Sequence, residues 1–456
     1  MKMTSSTTTM LKAVSSSPHP LAGEMVPLTL FDRAAFDLFV PVVLVYPAPT
    51  PSNEALKEAL RRALAPCPQL AGRLAVDERG MRCIHFNNEG VLVQEASMSA
   101  DLADVLLDGT NTDGMYPTLP LPEENIGAAL LQIKLSRYKC GGLVMGIALH
   151  HQAADAHSTH AFLRTWASAV RQGRDFTADP FPFVAAAAVH PDVRTPVFDH
   201  GSTEFKRAKG DGEDDGDTVI VPTCNIKNLT VSFTAEFIAE LKARVGAPCT
   251  TFQCLLAHMW KKTTQARGLK PEEFTQVRVA VNCRGRAEPP VPPDFFGNMV
   301  LWAFPRLQVR DVLGSTYGRV VGAIRAAVAR VYGEYIRSFL DFGALADAHG
   351  LELAATAPAA GTMCCPDLEV DSWLGFRDYP IDFGWGPPSG LLLPDIPVEG
   401  LMVFVPSSPM AKGGVDVFIA LAEDHVTAFQ QRCYSMDTHD AYKQTSHDNG
   451  PSTSRL

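Results

Sequence analysis

The stretch HHQAAD, residues 150–155, combines two adjacent imidazoles with a carboxylate four positions after the second one. The apolar run GGLVMGIAL before it is typical of a buried strand, and AHSTHAFLRTWASAV after it has its large apolar residues at helical spacing. Histidine is the usual general base of enzymes because its ordinary pKa lies near neutral pH. His151 is therefore a candidate base, placed where a strand gives way to a helix.

Two other interpretations of this stretch remain open. His150, His151, Asp155, His157 and His160 crowd eleven positions, as metal ligands do, but they straddle the strand–helix junction and lack the glutamate of an HExxH helix. Alternatively, His151 is a hydrogen-bonded core histidine and Asp155 is only a helix N-cap. No GxSxG pattern offers an enzyme nucleophile. A catalytic His151 would therefore activate the substrate's own nucleophile, and we predict no metal site.

Composition restricts the class of protein. A chain of 456 residues is long enough for two domains, and 46 % hydrophobic with 20 % charged residues is an ordinary globular composition. The net charge of −10 excludes an overall basic surface for nucleic acid. We find no apolar run of the roughly 18 residues that a membrane-spanning helix needs. The ten cysteines form no CxxC pair, which favours reduced thiols and a cytoplasmic location.

Hydrophobic periodicity predicts a mixture of strands and helices throughout the chain. The predicted strands are 39–46, 143–149 and 277–283, and the predicted helices are 53–64, 233–245, 250–268 and 314–335. The run GDGEDDGD cannot pack into a core and indicates a solvated linker. We therefore predict an α/β protein with an N-terminal domain (1–200), an acidic crossover linker (201–220), a C-terminal domain (221–436) and a disordered tail (437–456).

A second motif, DFGWG, occupies residues 382–386. Small residues on both sides of one aromatic ring indicate a tight backbone turn with Trp385 packed under it. It is not the DFG of a protein kinase, because no Gly-rich loop, lysine strand or HRD accompanies it.

HxxxD at one third of the chain and DFGWG near its end resemble the BAHD family of plant acyl-CoA acyltransferases. Further blocks match this family in the expected order: LKEALRRALAPCPQLAGRL, TFQCLLAHMWKK, VNCRGRAEPPVPPDFFGN and VEGLMVFVPS. The resemblance covers roughly residues 20–435. It implies two similar-sized domains related to chloramphenicol acetyltransferase, each a mixed sheet flanked by helices, with an active-site channel between them.

The resemblance also implies roles for particular residues. His151 would be the general base that deprotonates the acceptor for attack on the thioester carbonyl. Asp155 would point away from the substrate and pair with an arginine, Arg284 first and Arg286 second. Structural support would also come from Asp382, Gly384, Trp385 and Gly386, in the second domain's wall. Acyl-CoA would be a co-substrate, with no permanently bound cofactor and no metal.

The acceptor class is suggested by LEVDSW, in which Glu369, Asp371 and Trp373 alternate. On a strand they share one face, where two carboxylates and an indole could hold a cation. A solvent-facing strand edge is the equal alternative. Shikimate-using members of the family carry an arginine two positions after the tryptophan, but this chain has Gly375 there and Arg377 farther along.

Among the branches of this family, the sequence most resembles the grass hydroxycinnamoyl amide branch. We therefore predict transfer of a hydroxycinnamoyl or benzoyl group from CoA to tryptamine, tyramine, agmatine or putrescine. The alternative is O-acylation of an alcohol such as shikimate; a non-catalytic binding member is a third possibility. The predicted CoA contacts are Thr251, Lys261 and Lys262, although a solvated basic face explains the lysines equally well. The partners would be small molecules only, without nucleic acid or membrane, and the enzyme would be a monomer.

Overall fold

The computed structural model describes residues 3–14, 19–103, 112, 114–118, 120–182, 193–206, 219–376, 381–407 and 413–437. In these residues the strands are β1 Met3–Leu11, β2 Met25–Pro27, β3 Phe39–Tyr46, β4 Arg73–Val76, β5 Arg82–His85, β6 Val91–Met98, β7 Leu131–Arg137, β8 Leu143–His150, β9 Phe205–Lys206, β10 Ile226–Phe233, β11 Phe274–Asn282, β12 Val300–Ala303, β13 Arg306–Gln308, β14 Ala354–Ala355, β15 Leu368–Ser372, β16 Gly390–Leu392, β17 Leu401–Pro406 and β18 Val415–Ala422. The helices are α1 Leu30–Arg33, α2 Asn53–Ala63, α3 Ala156–Gln172, α4 Ala235–Val245, α5 Thr251–Arg267, α6 Val309–Gly314, α7 Tyr317–Arg330, α8 Gly333–Ala348 and α9 Glu423–Gln430.

The first large sheet has the strand order β1-β6-β7-β8-β3-β16. Its strands pair antiparallel except for β6 and β7, which are parallel. Every residue of β8 is buried, as its continuous apolar run predicts. Helices α2 and α3 contact each other, and their apolar faces join the same core as the sheet. Strand β8 of this sheet ends at His150, one residue before the candidate base.

The second large sheet has the order β10-β18-β17-β15-β11-β12, with β13 also paired to β11. Strand β15 lies between β11 and β17 and is parallel to both. Helix α5 is buried along most of its length beside this sheet. The architecture is therefore two sheet bodies flanked by helices, which confirms the predicted fold class.

The two bodies exchange short segments. Strand β16, from the second half of the sequence, pairs antiparallel with β3 and so completes the first sheet. In the other direction, Leu30 and Phe31 of α1 are part of the second body's core. A boundary drawn at one position in the sequence cannot describe this exchange.

One predicted helix is wrong in its extent. Instead of a single helix over 314–335, α7 ends at Arg330 and α8 begins at Gly333. Arg286 explains the interruption, because its Nη1 donates to the carbonyl oxygens of Val328 at 2.9 Å and Val331 at 3.0 Å. A side chain from a distant loop thus satisfies the last carbonyls of α7, as the end of a helix requires.

The predicted linker and tail fall mostly outside the described residues, since 207–218 and 438–456 are not described. Asp437, the first residue of the predicted tail, is part of the folded body and accepts a hydrogen bond from Lys262. Among the described helices, none has the length and apolar character needed to cross a membrane.

Candidate active site

His151 directly follows β8, and both of its backbone polar groups are held. Its N–H donates to the carbonyl of Leu38 at 2.9 Å, and its carbonyl accepts from Nδ2 of Asn298 at 2.8 Å. The imidazole lies against the ring of Phe36, with 5.7 Å between ring centroids. Within the described residues, its buried Nδ1 has no hydrogen-bond partner. The backbone is therefore fixed while the ring remains available for chemistry.

The neighbouring histidine has a different position. His150 is fully buried; its Nε2 lies 3.1 Å from Oδ1 of Asp37, and its Nδ1 accepts from the N–H of Gln152 at 3.3 Å. Burial lowers the pKa of His150, although the Asp37 carboxylate opposes this effect. Both ring nitrogens of His150 are thus engaged in holding the turn, which leaves His151 as the candidate base.

Asp155 is the N-cap of α3 and the centre of a buried network. Its Oδ1 accepts from the N–H of Ser158 at 2.9 Å, and its Oδ2 accepts from the N–H of Met299 at 3.0 Å. Arg284 binds both carboxylate oxygens, at 2.8 and 3.1 Å. Arg284 also donates to the carbonyls of Phe295 and Gly297, so its charge is well satisfied.

This network confirms the predicted contact between Asp155 and Arg284. Arg286, the second choice, instead binds the end of α7. Burial would raise the pKa of Asp155, but the charge and hydrogen bonds of Arg284 outweigh it and hold that pKa below its ordinary value. The carboxylate therefore stays ionised and structural, and its role in positioning His151 stays a prediction.

The sequence did not identify the residues that hold the backbone of His151. Asn298, which binds the carbonyl of His151, also donates through Nδ2 to Oδ1 of Asp32 at 2.9 Å. Asp32 in turn forms a capping box with Thr29 at the start of α1. The only signal in the sequence was the FGN block at 296–298, which marked the segment but not the contact.

An apolar cavity of about 80 Å³ opens beside His151. Residues of both bodies line it: Val40, Val42, Leu44, Leu149, His151, Ala154, Ala156, Thr159, His160, Leu163, Asp371, Trp373, Phe376, Ile381 and Leu391. A mostly apolar lining with a few polar groups is typical of small-molecule sites. The cavity lies between the two sheets, and its apolar wall can keep water away from a general base.

The predicted acidic site is only partly present. Asp371 and Trp373 line the cavity with His151, and Nε1 of Trp373 donates to Oδ2 of Asp371 at 3.0 Å. Glu369 does not line it, because its carboxylate lies 3.3 Å from Nη1 of Arg278 in a buried ion pair. The prediction that Glu369 binds the acceptor is therefore wrong, whereas that for Asp371 and Trp373 stays open.

The sequence and structure match a known family over nearly the whole chain. A family model described as "Transferase family" matches residues 1–436. The chain belongs to the BAHD transferase family. Enzymes of this family use acyl-CoA as a co-substrate.

Several curated relatives of this BAHD transferase are similar along most of their length. Tryptamine benzoyltransferase 1 of Oryza sativa subsp. japonica is 57 % identical over 96 % of this chain and 98 % of the relative. Tryptamine hydroxycinnamoyltransferase 2 of the same plant is 54 % identical over 91 % of this chain and 94 % of the relative. Agmatine coumaroyltransferase-1 of Hordeum vulgare is 36 % identical over 91 % and 94 %.

Solved structures confirm the fold of this BAHD transferase. Vinorine synthase superposes with a TM-score of 0.68, at 22 % identity over 94 % of this chain and 96 % of that one. F. graminearum TRI101, in complex with coenzyme A and deoxynivalenol, superposes with a TM-score of 0.65, at 18 % identity over 89 % and 97 %. These similarities support the predicted fold related to chloramphenicol acetyltransferase.

The DFGWG turn of this BAHD transferase packs on the first body, not in the second domain's wall as predicted. Phe383 is buried against Tyr46 and Trp166, with ring centroids 5.9 and 5.2 Å away. Oδ1 of Asp382 accepts from the N–H groups of Gly384 at 2.7 Å and Gly386 at 3.0 Å, and both glycines have positive φ.

Trp385 stacks on the ring of Phe383 at 5.4 Å and lies 5.6 Å from the ring of Tyr46. The turn leads into β16 and thereby fixes the segment that completes the first sheet. These contacts support the body that carries His151, and the structural role of the turn stays a prediction.

The predicted CoA contacts do not gather around the cavity. Lys261 is buried, and its Nζ donates to the carbonyls of Val312, Leu313 and Ser315 at 2.7–3.1 Å. Lys262 donates to Oδ1 of Asp437 at 2.6 Å. Both ammonium groups are engaged inside the protein, which argues against the predicted contact with CoA phosphates, and that contact stays a prediction.

Thr251 is the first residue of α5, behind the N-cap Thr250, and it does not line the cavity. Its contact with CoA stays a prediction. Over the residues that the structure describes, no three His, Cys, Asp or Glu side chains gather as ligands of a metal ion.

Proposed function

We propose that the chain transfers an aromatic acyl group, hydroxycinnamoyl or benzoyl, from its CoA thioester to the primary amine of an arylalkylamine. The products are an amide and free CoA. The observation that carries this proposal is the shared cavity, in which the base His151 and the half-buried carboxylate of Asp371 are set in an otherwise mostly apolar wall.

The lining of the cavity supports an aromatic amine over a linear polyamine. Phe376 stacks on the ring of His160 at 5.0 Å and lies 6.2 Å from the ring of Trp373. These rings offer a flat apolar surface, whereas Asp371 offers one anionic end. Tryptamine has this combination of an aromatic body and a cationic tail. Relatives named for tryptamine are 54–57 % identical to this chain, and those named for agmatine or putrescine are 33–36 % identical.

In the proposed reaction, His151 removes a proton from the acceptor nitrogen as it attacks the thioester carbonyl. The tetrahedral intermediate then collapses and expels the CoA thiolate, which receives the proton from the imidazolium of His151. Asn298 and Leu38 fix the backbone of His151, and the ion pair between Asp155 and Arg284 fixes the turn that follows it. No acyl-enzyme intermediate is needed, because the substrate's own nitrogen is the nucleophile.

The test is thiol release from benzoyl-CoA and p-coumaroyl-CoA with tryptamine, tyramine, agmatine, putrescine and shikimate in parallel. We expect turnover with tryptamine above all, weaker turnover with tyramine, and none with shikimate. Turnover with shikimate alone would reject the amide assignment and favour an ester-forming enzyme. The expected monomeric state and cytoplasmic location stay predictions, to be checked by light scattering and by cell fractionation.

A further inference from the structure

Asp371 is a half-buried carboxylate on the cavity wall that can still accept a hydrogen bond. Its Oδ1 accepts from the N–H of Ser372 at 2.8 Å, and its Oδ2 accepts from Nε1 of Trp373 at 3.0 Å. A carboxylate offers about four acceptor positions, so these donors leave room for a further one. The side chain lines the same cavity as His151.

The groups around Asp371 favour its protonated form more than water would. Burial raises its pKa, the hydrogen bonds from Trp373 and Ser372 and the charge of His151 lower it, and Asp155 raises it; the sum is a pKa above the ordinary value. Glu369 on the same strand interacts electrostatically with Asp371, but its own charge is paired with Arg278.

His160, which also lines the cavity, completes the titratable groups that the structure places there beside His151 and Asp371. A carboxyl group with a raised pKa is a better proton acceptor near neutral pH. Asp371 therefore combines the position and the basicity that a proton acceptor needs.

An amine acceptor poses a problem that an alcohol does not. Alkylammonium groups have pKa values of about 10, so at neutral pH the acceptor enters as an ammonium without a lone pair. Amide formation then removes two protons from the same nitrogen. His151 can hold only one of them at a time.

We propose that Asp371 is a second catalytic base, which accepts the first proton of the ammonium and leaves His151 free for the second. This inference rests on the proposed amine acceptor. The ammonium N–H bond breaks towards the carboxylate of Asp371, and the freed lone pair attacks the thioester carbonyl. His151 takes the second proton and returns it to the departing thiolate, while Asp371 later releases its proton to solvent. Ammonium plus thioester thus gives amide, CoA thiol and one proton.

The test is the pH dependence of kcat for the wild type and Asp371→Asn, with saturating tryptamine and benzoyl-CoA between pH 7 and 10. We expect a nearly level wild-type profile. For Asp371→Asn we expect kcat to be at least tenfold lower at pH 7 and to rise about tenfold per pH unit, following the neutral amine. Glu369→Gln is the matched control, since it removes a carboxylate from the same strand outside the cavity; its profile should stay level.

A second acceptor separates proton transfer from a general loss of fold. An arylethylamine fluorinated on the side-chain carbon next to the aminomethyl group has a more acidic ammonium, so more of it is already neutral at pH 7. The deficit of Asp371→Asn should shrink with this acceptor, which a misfolded variant would not show.

Three outcomes overturn the inference. A profile of Asp371→Asn parallel to that of the wild type, with only KM raised, would make Asp371 a cation-binding residue. An equal deficit with both amines would make its role structural. If the wild type acylates no amine at all, the proposed function fails and this inference fails with it.

Discussion

Arg284 and Asp155, 129 positions apart in the sequence, form a buried two-point ion pair that joins the second body to the turn after His151. The same carboxylate caps α3 and accepts from the N–H of Met299. One side chain therefore fixes the start of α3, the contact between the bodies and the loop that carries the candidate base. Its removal should affect both stability and catalysis.

Asp155→Asn should lower the free energy of unfolding by about 3–5 kcal/mol, because it leaves the buried charge of Arg284 without its counter-ion. Urea unfolding measures this loss. Glu240→Gln is the control, since it breaks the exposed 2.7 Å pair with Arg244 and should cost only about 0.3–0.5 kcal/mol. Equal, small losses in both variants would show that the buried pair does not hold the two bodies together.

The same ion pair makes stability depend on pH in a definite direction. The folded-state pKa of Asp155 lies below its ordinary value, so its contribution is fully present above the unfolded value of about 3.9. It is lost as the pH falls below that value towards the folded pKa. The difference in unfolding free energy between the wild type and Asp155→Asn should therefore shrink from pH 6 to pH 2. A constant difference over that range would contradict the ion-pair origin.

His151→Ala should lower kcat roughly 10²–10⁴-fold, the usual contribution of a positioned general base. The melting temperature should change little, because the backbone contacts of residue 151 to Leu38 and Asn298 do not need the side chain. His349→Ala, at the end of α8, is the matched control and should keep wild-type turnover. Full activity of His151→Ala would make the chain a binding member of the family or assign the base elsewhere.

Gly384→Ala should destabilise the protein by about 1–3 kcal/mol, because a side chain is strained at its φ of +113°. The added Cβ would also lie 3.0 Å from Cγ of Arg171. Gly322→Ala, inside α7, is the opposite case, because its Cβ would meet no atom within 4 Å. It should raise the free energy of unfolding by about 0.5–1 kcal/mol. Thermal unfolding of both variants checks the signs, and a stabilised Gly384→Ala would refute the role of this turn.

Lys262→Met should reduce the free energy of unfolding by about 1–3 kcal/mol, since it removes a charged hydrogen bond to Asp437. The KM for benzoyl-CoA should remain unchanged. Lys227→Met, which removes an exposed lysine 3.5 Å from Glu423, should change neither the free energy of unfolding nor the KM for benzoyl-CoA. A raised KM at unchanged stability would return Lys262 to the CoA site.

The sequence by itself determined the local elements and the position of the candidate base. Strand β3 matches its predicted range, and α2, α4 and α5 lie within one or two residues of theirs. These segments carry their own periodicity and caps, such as Thr250 before α5, so neighbours in the sequence suffice to define them. The HxxxD and DFGWG motifs indicated the family in the same way, because motif order is a property of the sequence.

Only the tertiary structure decided which charged side chains face the cavity. Glu369 and Asp371 are alike in the sequence, yet Arg278 binds one and His151 stands beside the other. The sequence predicted that Lys261 is solvated or binds CoA. The structure instead buries it, and carbonyl oxygens at the end of α6 accept its hydrogen bonds. Such outcomes depend on partners that approach from distant segments, and a charge in a linear sequence does not specify its partner.

The placement of DFGWG and the interruption after α7 have the same explanation. The turn packs on Tyr46 and Trp166 because β16 joins the first sheet, and α7 ends where Arg286 reaches its carbonyls. Local periodicity gives each segment its type, whereas burial and hydrogen bonding between distant segments give it its place. The choice of His151 as the candidate base rests on the first kind of information, and the shape and charge of the cavity beside it depend on the second.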